Sequence, residues 1–110
     1  MEEVDRWINV EAVITLGPDS DTETALDCLT EETGKSEALS SATLFADLAN
    51  RVVVITVPVD DGDEIQAHEV ATVIMATTYL VLGSCDCRLS SVSFSFTRVC
   101  DRDGYLLPCP

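Results

Sequence analysis

Residues 51–59 read RVVVITVPV, and few arrangements can hold them. Val52, Val53, Val54, Ile55, Val57 and Val59 place apolar side chains on both faces of any extended segment, so the stretch belongs inside a sheet. Pro58 has no N–H to give a ladder, which predicts that pairing stops there. An interior strand needs neighbours. WINVEAVITLG, 7–17, supplies one: Ile8, Val10, Ala12, Ile14 and Leu16 alternate with Asn9, Glu11 and Thr15, the pattern of a strand with one wet face. Residues 91–97, SVSFSFT, supply another, with Val92, Phe94 and Phe96 on one side and Ser91, Ser93, Ser95 and Thr97 on the other.

Two helices are legible between these strands. Gly17, Pro18, Asp19 and Ser20 form a turn, and Ser20 with Glu23 fits a capping box that opens a helix running to about Thr33, where Gly34 stops it. Ala25, Leu26, Cys28 and Leu29 share one side of it. Glu23, Asp27 and Glu31 follow one another at i, i+4 on the other, where like charges cost about 0.2–0.5 kcal/mol per pair and no lysine reads as placed to relieve them. A longer helix is predicted from about Asp63 to Leu82. Asp60, Asp61, Asp63 and Glu64 fall at its positive N-terminus, and capping explains most of that acid cluster. Its broad face is Ala67, Val70, Ala71, Ile74, Val81 and Leu82. A second stripe, Val73, Ala76 and Leu80, would stay partly wet in a monomer and reads as a homodimer seam.

Residues 36–49, SEALSSATLFADLA, fit either a helix, with Ala38, Leu39, Ala42, Phe45, Ala46 and Ala49 on one face, or a strand over 41–48 with Ala42, Leu44, Ala46 and Leu48 inward. The chain is expected to form a single compact domain over 1–110, with 101–110 a C-terminal tail or edge strand. Its expected class is α+β: a two-layer sandwich with helices on one face of a mainly antiparallel sheet of three to four strands. A strand at 41–48 makes the order βαββαβ, ferredoxin-like; a helix there makes it βααβαβ.

Five cysteines invite a metal reading. If 87–100 is extended at about 3.3 Å per residue, its ends lie roughly 40 Å apart, so Cys85 and Cys87 cannot share an ion with Cys100. No further cysteine or histidine can be placed beside Cys85 and Cys87 from the sequence. Ordinary thiols are the leading expectation, a Cys100–Cys109 bridge the alternative; no metal and no cofactor are expected. His68, the single histidine, follows Glu64 at i+4, a spacing common on helix surfaces and only occasionally catalytic. No phosphate loop, nucleophile elbow or HExxH is present, and DDGDE lacks the spacing of an EF-hand. No catalytic residue is assigned and the chain is read as a non-enzyme.

Charge narrows the partners. Twenty Asp and Glu against six Lys and Arg leave a formal net charge of −14, which repels phosphate and argues against direct nucleic-acid binding. MEEVDRW lacks the basic and apolar regions of a secretory leader, and the apolar run Val70–Leu82 is shorter than the roughly 20 residues that cross a bilayer. A cytoplasmic protein without membrane contact is expected. The favoured function is a small acidic module acting stoichiometrically on a basic protein, as inhibitors, immunity proteins and nucleic-acid mimics do. Its contacts are assigned to Glu23, Asp27, Glu31, Asp19 and Asp21, continued by Glu2, Glu3 and Asp5. The alternative is a homo-oligomeric structural or assembly subunit, of a phage or another large complex. A lysine-poor acidic surface also suits a salty cytoplasm with no partner at all.

Overall fold

The alternation at 8–16 becomes β1 (Asp5–Leu16), the middle strand of a five-stranded sheet. Ile8, Val10, Ala12, Ile14 and Leu16 are 0–4% exposed, while Asn9, Glu11, Val13 and Thr15 on the opposite face are half-buried. The computed structural model describes residues 5–60, 63–102 and 105–108, with side chains over 6–60 and 63–100. β2 (Thr43–Asp47), β3 (Val52–Asp60), β4 (Leu89–Arg102) and β5 (Tyr105–Pro108) complete the sheet in the order β2-β3-β1-β4-β5, every pair antiparallel. Helices α1 (Thr22–Lys35) and α2 (Glu64–Ser84) follow β1 and β3 and cover one face. The architecture is α+β, as the sequence pattern indicates.

β3 is interior, between β2 and β1, but only one of its faces is roofed. Val53, Ile55, Val57 and Val59 are buried beneath the helices, whereas Val52, Val54 and Thr56 are half-buried among their neighbours on the open face. The ladder also runs past Pro58, through Val59 opposite Ile8, to Asp60 opposite Trp7. β2 pairs no further than Thr43 with Thr56, so beyond that point this flank of β3 has no ladder partner among the described residues, and proline is tolerated there.

Residues 36–49 settle as a short 3-10 turn, Glu37–Leu39, followed by β2, which overturns the helical alternative and its βααβαβ order. The alanine-rich pattern is overridden by pairing: Leu44 sits opposite Ile55 and Ala46 opposite Val53, both packed against the core. Leu48 falls in the following turn, 56% exposed rather than inward, and Phe45 looks out from the open face at 64%. Asp47 holds this turn by accepting from the Asn50 side chain at 2.7 Å and the Asn50 N–H at 3.3 Å. Those bonds keep its carboxyl below the usual carboxylate range. Arg51 closes the turn at φ 54.

Capping differs from the sequence pattern at α1. Asp21, not Ser20, is the cap, accepting from the N–H groups of Glu23 and Thr24. Ser20 instead accepts the Arg88 N–H at 2.7 Å and donates to the Arg88 carbonyl, tying the β1–α1 turn to the start of β4. The helix passes through Gly34 to Lys35. At α2 the cap is Asp63, which accepts from the Gln66 N–H at 2.9 Å; Asp61 lies outside the described residues. α2 buries Ala67, Val70, Ile74, Val81 and Leu82 as its pattern requires, and also Thr78, whose hydroxyl donates to the Ile74 carbonyl at 2.7 Å. By length and composition alone α2 could cross a bilayer, contrary to the estimate from its apolar run, but it lies with one side on the sheet.

On β4, Val92, Phe94 and Phe96 stand opposite Ile14, Ala12 and Val10 on the helix side, leaving Ser91, Ser93, Ser95 and Thr97 on the open face. Leu29 is the fully buried anchor of α1 in this core. Leu29→Ala is expected to cost about 2–5 kcal/mol in urea denaturation, whereas Leu48→Ala, in the exposed turn, is expected to stay within about 0.5 kcal/mol.

Candidate functional site: the cleft between the helices

α1 and α2 lie side by side and antiparallel: the start of α1 meets the residues after α2, and the Glu31 region faces Leu80 and Val81. Between them opens a cleft of about 280 Å3 lined by Cys28, Glu31 and Glu32 from α1 and by Leu80, Val81, Ser84 and Cys85 from the end of α2. Its floor is apolar and sulfur-bearing; one wall is acidic.

The end of α2 places the cysteines. Cys85 is the C-cap, its N–H donating to the Val81 carbonyl; Asp86 then takes the left-handed conformation at φ 57, and the Cys87 N–H returns to the Leu82 carbonyl at 3.1 Å. This turn aims the two thiols differently. Cys87 is buried, its thiol 3.8 Å from the Asp21 carbonyl and 3.7 Å from that of Cys85. Cys85 stays in the cleft, which it lines together with Cys28 from α1, near enough for the two thiols to influence each other's ionisation. Cys28 is the partner that sequence reasoning could not place: its position on the helix was readable, but the antiparallel packing that brings it to Cys85 was not. Cys100 lies at the other end of β4, opposite Arg6, and is disulfide-bonded. The expectation of ordinary thiols therefore holds for Cys28, Cys85 and Cys87 and fails for Cys100; the Cys109 of the alternative lies outside the described residues.

Desolvation pushes the Cys28 thiol above the usual thiol range, reinforced by Cys85 and then by the charges of Glu31 and Asp27. Cys85 is raised too, first by desolvation and then by its contact with Cys87. Both sulfurs are thus held as neutral thiols at neutral pH.

The acidic ridge is exposed at Glu23, Asp27 and Glu31. It is less frustrated than its spacing suggests, because Lys35 lies 3.4 Å from Glu31 and 3.5 Å from Glu32. Asp19 is exposed in the turn before α1, while Asp21 is engaged as its cap. Glu2 and Glu3, and the Asp5 side chain, lie outside the described residues. The stripe on α2 divides: Val73 is half-buried against the core, Ala76 is exposed, and Leu80, 68% exposed, forms one side of the cleft.

The far flank of α2 holds the histidine. The His68 ring lies 5.0 Å from that of Phe96 at 47°, and Glu64 pairs with Arg98. These groups line a hollow of about 250 Å3 with Ile8 and Ala67. It continues into a shallower apolar groove along Met75, Phe94 and Phe96.

No protein-family model matches this chain, and no curated protein matches it.

The raised thiols couple to stability. In the unfolded chain a cysteine ionises near about pH 8.5, below its value in the fold, so the unfolded state loses protons first as pH rises. The contribution is complete below that pH and is lost as pH climbs through the folded values. Urea midpoints are expected to fall between pH 8 and pH 10, with a shallower fall in the Cys28→Ser, Cys85→Ser double variant.

Proposed function

We propose that this protein is a non-catalytic binding module that takes a basic, amphipathic segment of a partner protein into the cleft between α1 and α2. The observation that carries the reading is the juxtaposition of Glu31 and Glu32 with exposed Leu80 across a groove, an acidic wall that exposed Asp27 and Glu23 continue along α1 outside it. Lysines or arginines of a partner would meet the ridge while its apolar anchors cover Leu80 and Val81. The ridge would speed encounter and select by charge. Inhibition, immunity and nucleic-acid mimicry are modes of action open to such a module. A reducing, cytoplasmic setting belongs to the reading and agrees with three free thiols among the described cysteines; the bonded Cys100 pulls the other way.

We further infer a fold of the ferredoxin-like, split β-α-β kind. Its support is the element order, with β3 inserted between β1 and the β2 that follows α1, and the strand order β2-β3-β1-β4.

A homodimer, and with it the assembly-subunit alternative, has its own support. α2 carries no charged residue from Val70 to Ser84, yet Ala76, Tyr79 and Leu80 are exposed, in a chain of net charge −14. Two such chains repel less where a face is uncharged, and the Val73, Ala76, Leu80 stripe contributes its outer members to that face.

Two experiments separate these readings. A labelled helical peptide with lysines on one face and leucines on the other is expected to bind the protein. Glu23→Gln, Asp27→Asn, Glu31→Gln should weaken it about tenfold at low salt and flatten its salt dependence. Equal binding by a scrambled peptide of the same charge would reduce the interaction to unspecific attraction and end the cleft reading. For the dimer, sedimentation should show twice the chain mass, restored to monomer by Ala76→Asp with Tyr79→Asp; a mass unaltered by that pair of changes would remove this face from the interface.

A further inference from the structure

Three thiols meet where α1 crosses the end of α2, and their surroundings distinguish them. Cys87 is buried at 8% exposure, turned toward the carbonyls of Asp21 and Cys85. Cys28 and Cys85 come from different helices, are half-buried, and both line the same open cleft, where a small molecule can reach them. Cys85 shares the cleft with Cys28 and is also near Cys87, whose thiol lies 3.7 Å from the Cys85 carbonyl, but a link to Cys87 would span a single residue, Asp86, already held at φ 57 by the helix cap. A bond between thiols two residues apart closes a tight ring, and separate helices are free of that restriction.

We propose that Cys28 and Cys85 are a redox-active dithiol, a modification site at which small-molecule disulfides of the glutathione class form a covalent link between α1 and α2. The ionised sulfur of one cysteine attacks a sulfur of the oxidant, forming a mixed disulfide and releasing one glutathione thiolate, which takes up a proton. The second cysteine, as thiolate, attacks the protein sulfur of that mixed disulfide, forming the Cys28–Cys85 bond and releasing the second glutathione thiol. Two protein thiols lose two electrons and two protons; the oxidant is reduced to two thiols. Cys87 stands outside the exchange because its sulfur is packed beneath the start of α1. The link joins two helices far apart in the chain and restricts the unfolded ensemble, so it stabilises the fold. The thiols line the cleft named above as the docking groove, but the exchange is that of the free protein and does not rest on the docking reading.

The test uses the full-length protein incubated with oxidised glutathione at mildly alkaline pH, then alkylated, digested without reduction and mapped by mass spectrometry. Alkylatable thiols among Cys28, Cys85 and Cys87 should fall from the three free ones to Cys87 alone, with a Cys28–Cys85 linked peptide. Cys87→Ser should still form the link, while Cys28→Ser and Cys85→Ser should abolish it and leave a glutathione adduct on the remaining cleft cysteine. Oxidation should raise the urea midpoint of the wild-type protein and of Cys87→Ser, reversibly with dithiothreitol, and leave that of Cys28→Ser unchanged. A Cys85–Cys87 link, stable glutathione adducts without any link, or three thiols that stay alkylatable would each overturn the proposal.

Discussion

The pairing of β1 with β3 is the constraint on which the rest of the molecule hangs. Nine successive registered pairs, from Trp7–Asp60 to Thr15–Val52, put Ile8, Val10, Ala12 and Ile14 in line with Val59, Val57, Ile55 and Val53 on a single face. Slipping either strand by one residue would turn that whole apolar set to water, so the register is strongly specified. Everything else is placed relative to this patch. α1 and α2 roof it with Ala25, Leu29, Ala67, Val70, Ile74, Val81 and Leu82, and β4 extends it with Val92 and Phe94.

The roof divides the charge of the molecule unevenly. Glu23, Asp27, Glu31, Glu32, Glu37, Glu64 and Glu69 all belong to the helical layer or its connections, while the open face of the sheet is built largely from serine, threonine and valine. A helix can bury one stripe and keep its carboxylates solvated on the other, which is why a strongly acidic chain still forms a dry core. The open face meets the same requirement with hydroxyls. Among the described residues, carboxylates, exposed apolar groups and thiols come together at the seam between the helices, and that is what makes it the candidate site.

Much of this was legible. The alternation in 7–17 and 91–97 and the apolar run at 51–59 each became a strand, because period-two burial leaves a direct trace in sequence. The segment 36–49 was not decidable, since alanine and leucine fit a helix as well as a strand and only the ladder to β3 chose between them. Ser20 with Glu23 reads as a capping box because that pattern is local, whereas the Ser20 hydroxyl is engaged by Arg88, 68 residues further along the chain. Lys35 stands at i+4 from Glu31, a spacing the sequence itself carries, and relieves that end of the ridge. The cleft was invisible for a different reason: each half of it sits on a helix whose partner the pattern does not name.

Sequence alone therefore determined which residues are strand and helix in the long periodic segments, which of their faces are apolar, and that the surface is acidic. These properties are local, set by side-chain period and composition. Tertiary structure alone decided the strand order, the strand at 43–47, the open second face of β3, and the meeting of Cys28 with Cys85. Those depend on which apolar face packs on which, and that choice is made by burial summed over the whole chain rather than by any stretch of it.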